Sequence, residues 1–130
     1  MIQLDTHAVV WLRTSPDRLS RPATAAIRKA LQTDCVAIAA ITLWELAWLV
    51  TTGRLEPGGT VRSFIERVTS GVVVLPLTAE IAALAAGFPP DRYPKDPADR
   101  LIGGTALAAG ISLVTKDDAI RRSGLVTTIW

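Results

Sequence analysis

The hydrophobic and polar positions alternate between two kinds of run along this chain, and the alternation predicts its elements. Met1–Leu4 reads as a short strand ending at Asp5, and Thr6–Arg13 as a helix with apolar Ala8, Val9, Trp11 and Leu12. After a loop, Ser15–Ser20, a second helix starts at Pro22 and runs to Leu31, with Ala26, Ile27, Ala30 and Leu31 at helical spacing. The unbroken apolar run Cys35–Ala40 predicts a strand covered on both faces. Thr42 opens a third helix that Gly53 ends. Pro57-Gly58-Gly59 is a turn, Thr60 caps a fourth helix, and Val72–Leu75 is a third strand. Thr78 caps a fifth helix. The proline-rich stretch from Phe88 to Pro97 is an extended loop, and a sixth helix runs from there to Gly110. Ile111–Thr115 is a strand, Asp117–Arg122 a short helix and Val126–Trp130 a last strand. Strands alternating with helices predict an α/β/α sandwich around a parallel sheet of about five strands. No linker or repeat divides residues 1–130, so one domain is expected.

Composition narrows the class. Hydrophobic residues are 49% and charged residues 20% of 130, ample for a core and too few charges for disorder. The net charge of +2 admits a polyanionic partner without requiring one. The single cysteine, Cys35, excludes an internal disulfide and reads as a small buried hydrophobe. No signal-peptide pattern and no membrane-length apolar run is present, so a soluble cytoplasmic protein is expected.

The candidate chemistry is carboxylate chemistry. In an open parallel sheet, ligands bind beyond the carboxyl ends of the strands. Asp5 follows the first strand, Glu45 lies about a helical turn beyond the second, and Asp117 follows the fourth, with Asp118 beside it. Asp99 falls in the first turn of the sixth helix, behind Asp96-Pro97. Singly, Asp5 and Asp117 read equally as helix caps or turn residues. Glu45, among Leu43, Trp44, Leu46 and Ala47, is harder to explain as a solvated side chain, although a role at the helix dipole would account for it. Clustered at one edge, these acids would repel one another. A divalent cation with a preference for hard oxygen ligands, magnesium or manganese, would resolve the repulsion and suit phosphodiester hydrolysis. The sole histidine, His7, reads as a structural hydrogen-bond partner. The Gly103-Gly104 pair lets its helix lie close against the sheet and does not belong to a phosphate-binding loop.

Leu4-Asp5-Thr6-His7 with Trp11-Leu12, Ile41-Thr42-Leu43-Trp44-Glu45-Leu46-Ala47, Lys95-Asp96-Pro97-Ala98-Asp99-Arg100-Leu101-Ile102, and Leu113-Val114-Thr115-Lys116-Asp117 with Thr128-Ile129-Trp130 form an ordered set. In these motifs the chain resembles the PIN-domain ribonucleases, specifically the VapC toxins of bacterial toxin–antitoxin pairs. The resemblance spans the whole chain and implies a magnesium- or manganese-dependent endoribonuclease held in check by a cognate VapB antitoxin. It also implies a homodimer. Asp5, Glu45, Asp99 and Asp117 match the family's catalytic and metal-binding acids, and Asp96 matches a further acid of one subgroup. Thr6 and Thr115 would support the site, and Arg100, Lys116, Arg92 and Lys95 could contact phosphates. The antitoxin would cover a groove rich in Trp11, Leu12, Trp44 and Trp48. Two alternatives are a non-catalytic PIN-like RNA- or protein-binding module and a receiver-like phospho-signalling domain. The second would need an aspartate directly after the third strand, where Pro76-Leu77-Thr78 stands instead.

Overall fold

The computed structural model describes residues 1–130. Five parallel strands form one sheet: β1 Ile2–Leu4, β2 Val36–Ala39, β3 Val73–Leu75, β4 Leu113–Val114 and β5 Thr128–Ile129. Their order is β3-β2-β1-β4-β5. The helices are α1 Thr6–Thr14, α2 Arg21–Thr33, α3 Ala40–Thr51, α4 Val61–Val68, α5 Ala79–Gly87, α6 Pro97–Ala109 and α7 Asp118–Ser123, with a 3-10 turn at Pro16–Arg18 inside the expected first loop.

Side chains of the central strands alternate between two buried clusters, as the period of two demands. Leu4, Val36, Ile38 and Val114 face one cluster, covered by α1, α2 and α4 through Val9, Ala23, Ile27, Phe64 and Val68. Ala39 and Leu113 face the other, beneath Ile102 and Ala106 of α6, Ile120 of α7, and Phe88 and Tyr93 of the proline-rich loop. The sandwich predicted from alternation is therefore present. Its strand order also removes the receiver-like reading: a receiver-like sheet runs 2-1-3-4-5, whereas here β1 lies between β2 and β4.

Three local expectations are corrected. α3 begins at Ala40, two residues before Thr42, and its N-cap Ala39 offers no side-chain hydrogen bond. The apolar backbone of β2 runs straight into the helix, so no polar cap marks the junction in sequence. Glu45 therefore lies beyond the first turn, where the dipole no longer explains it. Cys35 is only half-buried, with Sγ 3.5 Å from Asp34 Oδ1, because it precedes β2 instead of lying in it. The glycine pair serves neighbours other than the sheet. A Cβ on Gly103 would lie 2.0 Å from Tyr93 Oη, and one on Gly104 would lie 3.1 Å from Ala85 Cβ of α5. Gly103 makes room for the loop tyrosine and Gly104 for the close approach of α5.

Candidate active site

The strand order reverses at β1, and the crevice expected there opens beyond the carboxyl ends of β1 and β4. A cleft of about 390 Å³ lies at this edge. Asp5, Thr6, Glu45, Asp96, Asp99 and Asp117 line it, together with His7, Trp44, Trp48 and Arg54. The fold thus brings together all five acids singled out in the sequence.

Local structure delivers three of them as helix N-caps. Asp5 Oδ1 accepts from Thr6 N at 2.7 Å at the start of α1. Asp96 Oδ1 accepts from Asp99 N at 3.1 Å at the start of α6, with φ −56° and ψ 126°, the non-helical backbone expected before proline. Asp117 Oδ1 accepts from Ile120 N at 2.9 Å at the start of α7. Capping and cleft lining are therefore compatible for one carboxylate. A cap needs one lone pair, and an ionised carboxylate offers about four acceptor sites. The positive ends of these helices also reduce the cost of gathering negative charge here.

Threonines fix the carboxylates. Thr115 Oγ1 donates to Asp5 Oδ2 at 2.6 Å and accepts from Asp117 N at 3.1 Å, tying two acids from different strands to one fully buried hydroxyl. Thr6 Oγ1 donates to Glu45 Oε1 at 2.5 Å and lies 3.2 Å from the buried Thr42 Oγ1. Thr42 was read from sequence only as a helix opener; its contribution to this hydroxyl chain depends on the approach of α1 to α3. His7 does act as a structural partner: its Nε2 accepts from Lys116 N at 3.0 Å, and its Nδ1 stands 3.6 Å from Asp5 Oδ2.

The electrostatics follow from this crowding. Burial, and then the charges of Asp5, Asp96, Asp117 and Glu45, raise the Asp99 carboxyl to about 7. Burial also raises Glu45, and Asp5 and Asp96 add to the rise, while the Thr6 hydrogen bond opposes it. Tyr93 is pushed up by burial and by Asp99, Asp5 and Asp117, so it remains a neutral donor. Its hydroxyl donates to the Asp99 carbonyl at 2.9 Å, which anchors the first turn of α6. No sequence signal other than a lone tyrosine in a proline-rich loop pointed to this contact.

The Asp99 value has a consequence for stability. The folded state keeps a proton that the unfolded chain releases near the ordinary 3.8, so stability falls as pH rises from about 4 to about 7 and then levels. Asp99→Asn removes that penalty. In metal-free buffer at pH 8 its Tm should exceed the parent's by roughly 3–8 °C, from a solvent-discounted ~1–2 kcal/mol, with the gap closing near pH 4. Thermal unfolding at both pH values in chelator tests this; a gap of equal size at pH 4 would remove electrostatics as its cause.

The basic residues adjacent to the acids in sequence are bound elsewhere. Arg100 Nη1 donates to the carbonyls of Ala85 and Phe88, each at 2.9 Å, closing the end of α5. Arg92 Nη2 donates to the Ser123 carbonyl at 3.0 Å. Each of these hydrogen bonds satisfies a backbone carbonyl that a loop or helix end leaves over, and neither arginine lines the acid cleft. Lys116 Nζ sits 5.7 Å from the centre of the Trp11 ring, and Lys95 is exposed outside the residues lining the cleft. The arginine that does line the cleft is Arg54, in the turn after α3, nine residues beyond Glu45. The expected four-residue apolar groove also divides. Trp11 packs with His7 and Trp130, at ring distances of 4.9 and 6.0 Å, whereas Trp44 stacks on Trp48.

No three of these acid and histidine side chains converge into a closed metal cage. Carboxylates spread around an open cleft suit instead a hard cation that keeps most of its waters, the habit of magnesium.

Comparison with known proteins agrees with this geometry. The family model of the PIN domain matches residues 2–124. The chain belongs to the PIN-domain family, in its VapC branch. It is 39% identical to ribonuclease VapC22 of Mycobacterium tuberculosis over 131 aligned positions, covering 99% of this chain and 98% of that protein. Among solved structures it is similar to a chain of the DNA-bound VapBC2 complex of Rickettsia felis, with a TM-score of 0.75 and 18% identity over 98% of this chain and 97% of that one. The DNA-bound VapBC of Salmonella typhimurium gives a TM-score of 0.73 and 23% identity, with the same coverage of both chains. At those identities the structural likeness concerns the fold.

Proposed function

We propose that this protein is a metal-dependent endoribonuclease that hydrolyses RNA phosphodiester bonds, acting as the toxin of a VapBC-type toxin–antitoxin pair. The observation that carries the reading is the gathering of Asp5, Glu45, Asp96, Asp99 and Asp117 around one cleft, where burial and then the neighbouring acids lift Asp99 to about 7. Carboxylates held at such cost by capped helices and buried threonines call for a cation. The likeness to ribonuclease VapC22 supports RNA as the substrate, and the solved VapBC complexes of like fold support a VapB-type antitoxin as the partner.

Asp5 and Asp99 would hold magnesium or manganese, with Glu45 and Asp117 completing its surroundings. When bound, the ion supplies Lewis acidity and countercharge at the phosphate. Asp5 is oriented by the Thr6 amide and the Thr115 hydroxyl, so its carboxylate does not rotate away from the cleft. Glu45 has Oε1 engaged by Thr6, which leaves Oε2 to accept a hydrogen bond from the attacking water. Its raised pKa makes it a stronger base than an ordinary glutamate. Asp117 stays in place through its own cap and through the Thr115 hydroxyl behind its amide. Asp96 keeps mainly a capping role.

Purified, antitoxin-free protein should cleave single-stranded or looped RNA in magnesium or manganese. Excess chelator should abolish cleavage, and restored metal should recover it. Undiminished cleavage in chelator would refute the metal-dependent mechanism. Co-expression with a cognate VapB-type antitoxin should relieve toxicity and give a stable complex, and sedimentation of the free toxin should report a homodimer. No helix is long and apolar enough to cross a membrane.

A further inference from the structure

Two of the four tryptophans are accounted for by packing. Trp11 and Trp130 lie against the larger hydrophobic cluster. The other two are not. Trp44 and Trp48 are 56% and 52% exposed, although they are the largest apolar side chains in the molecule. They stand one turn apart on α3, with ring centroids 5.5 Å apart and planes 11° from parallel. Stacked on one another, they still leave about half of each side chain open to solvent. Both line the acid cleft, and Glu45 lies between them on the same helix.

Charge decides what such a surface can receive. An RNA strand entering this cleft brings phosphates toward five carboxylates, so its backbone contributes little attraction there. Beyond what a bound metal and a single arginine offer the phosphates, affinity comes from a part of the nucleotide that carries no charge. A nucleobase is planar and neutral, and every base offers a π-face to an aromatic platform. The Arg54 guanidinium lines the cleft beside the pair and makes no hydrogen bond or ion pair within the protein, so it is free for a phosphate at the platform's edge.

We propose that the Trp44–Trp48 pair is a base-stacking subsite that seats an unpaired nucleobase of the substrate next to the scissile phosphate, with Arg54 holding the neighbouring phosphate. The proposal rests on the nuclease reading of the adjacent acids and adds to it a requirement for single-stranded or flipped-out nucleotides. A base engaged in a duplex has both faces covered and cannot use the platform.

The experiment compares the parent with Trp44→Leu/Trp48→Leu and with Trp44→Phe/Trp48→Phe. Leucine preserves apolar contact without a π-face; phenylalanine preserves the π-face. Circular dichroism confirms folding. Binding is measured by anisotropy in excess chelator, using a labelled single-stranded RNA of about ten nucleotides and an abasic strand of equal length and charge. The parent should prefer the RNA to the abasic strand. The leucine variant should bind the RNA about 10- to 100-fold more weakly and lose the preference, while the phenylalanine variant keeps it. In magnesium, the leucine variant's loss should fall on KM, not kcat.

Parent-like RNA binding and KM in the leucine variant would overturn the subsite while leaving the nuclease reading intact. An equal loss in the phenylalanine variant would overturn stacking as the mechanism. Intact RNA binding together with lost self-association or lost antitoxin binding would assign the face to a protein and overturn the proposal. A parent that prefers RNA to the abasic strand, through the tryptophans, but never cleaves would keep the subsite and remove the nuclease reading.

Discussion

Asp99→Asn should reduce the RNA cleavage rate by at least about 10³-fold, whereas Asp96→Asn should retain much of the activity. The two aspartates lie three residues apart at one helix start, yet their surroundings differ. Asp96 is exposed and uses Oδ1 to cap the Asp99 amide, a task asparagine performs equally well. Asp99 is half-buried, its carboxylate makes no hydrogen bond within the protein, and its carboxyl is raised to about 7 by burial and by four surrounding acids. A carboxyl so destabilised as an anion gains most from a cation, so removing its charge removes a metal-binding group. Manganese affinity should fall with the rate in Asp99→Asn and hold in Asp96→Asn. The reverse ranking, in variants shown to be folded, would exchange the two roles.

Gly103→Ala should destabilise the protein by roughly 2–3 kcal/mol, although alanine is the better helix former by about 1 kcal/mol. The new Cβ would meet Tyr93 Oη at 2.0 Å and Tyr93 Cζ at 2.7 Å, distances that no packed atoms share. Tyr93 cannot simply swing aside. It is 2% exposed, lies against Phe88 with ring centroids 4.5 Å apart, and donates its hydroxyl to the Asp99 carbonyl. Moving it therefore disturbs both the second hydrophobic cluster and the turn that carries Asp99, so activity should fall together with stability. Adding Tyr93→Phe removes the 2.0 Å clash at the cost of one hydrogen bond. The double variant should recover part of the loss, giving a coupling energy that denaturant unfolding can measure. Strict additivity of the two substitutions would show that the clash is relieved elsewhere.

Both expectations rest on features that differ in how plainly the sequence displays them. The acids were legible because each follows a local rule. Asp5 and Asp117 stand where an apolar strand gives way to a helix, and Asp96-Pro97 announces a helix start. Glu45 stood out because a carboxylate surrounded by apolar neighbours needs a partner. Alternation of strands and helices carried the parallel sheet, and a parallel sheet places its strand ends on one edge. The chemistry of that edge followed from topology alone, before any side chain was placed.

Where long side chains reach was not legible. Arg92 and Arg100 adjoin the acid motif in sequence, but a guanidinium extends far enough to find whichever carbonyls the fold leaves unsatisfied, and theirs belong to Ser123, Ala85 and Phe88. Arg54 reaches the cleft from a turn that nothing in its own neighbourhood marks as functional. The tryptophans divide for a similar reason: helical spacing puts Trp44 and Trp48 on one face of α3, while only the packing of the helices decides that this face meets water and Trp11 meets Trp130. The sequence by itself determined the elements, the caps of α4, α5 and α6, and the edge at which the acids gather, because those depend on near neighbours and on the hydrophobic period. The tertiary structure decided the threonine links, the Tyr93 anchor, the arginine that lines the cleft and the exposed aromatic pair. The threonine links join residues 36 to 110 positions apart, and the other features depend on how the elements pack, which no local pattern encodes.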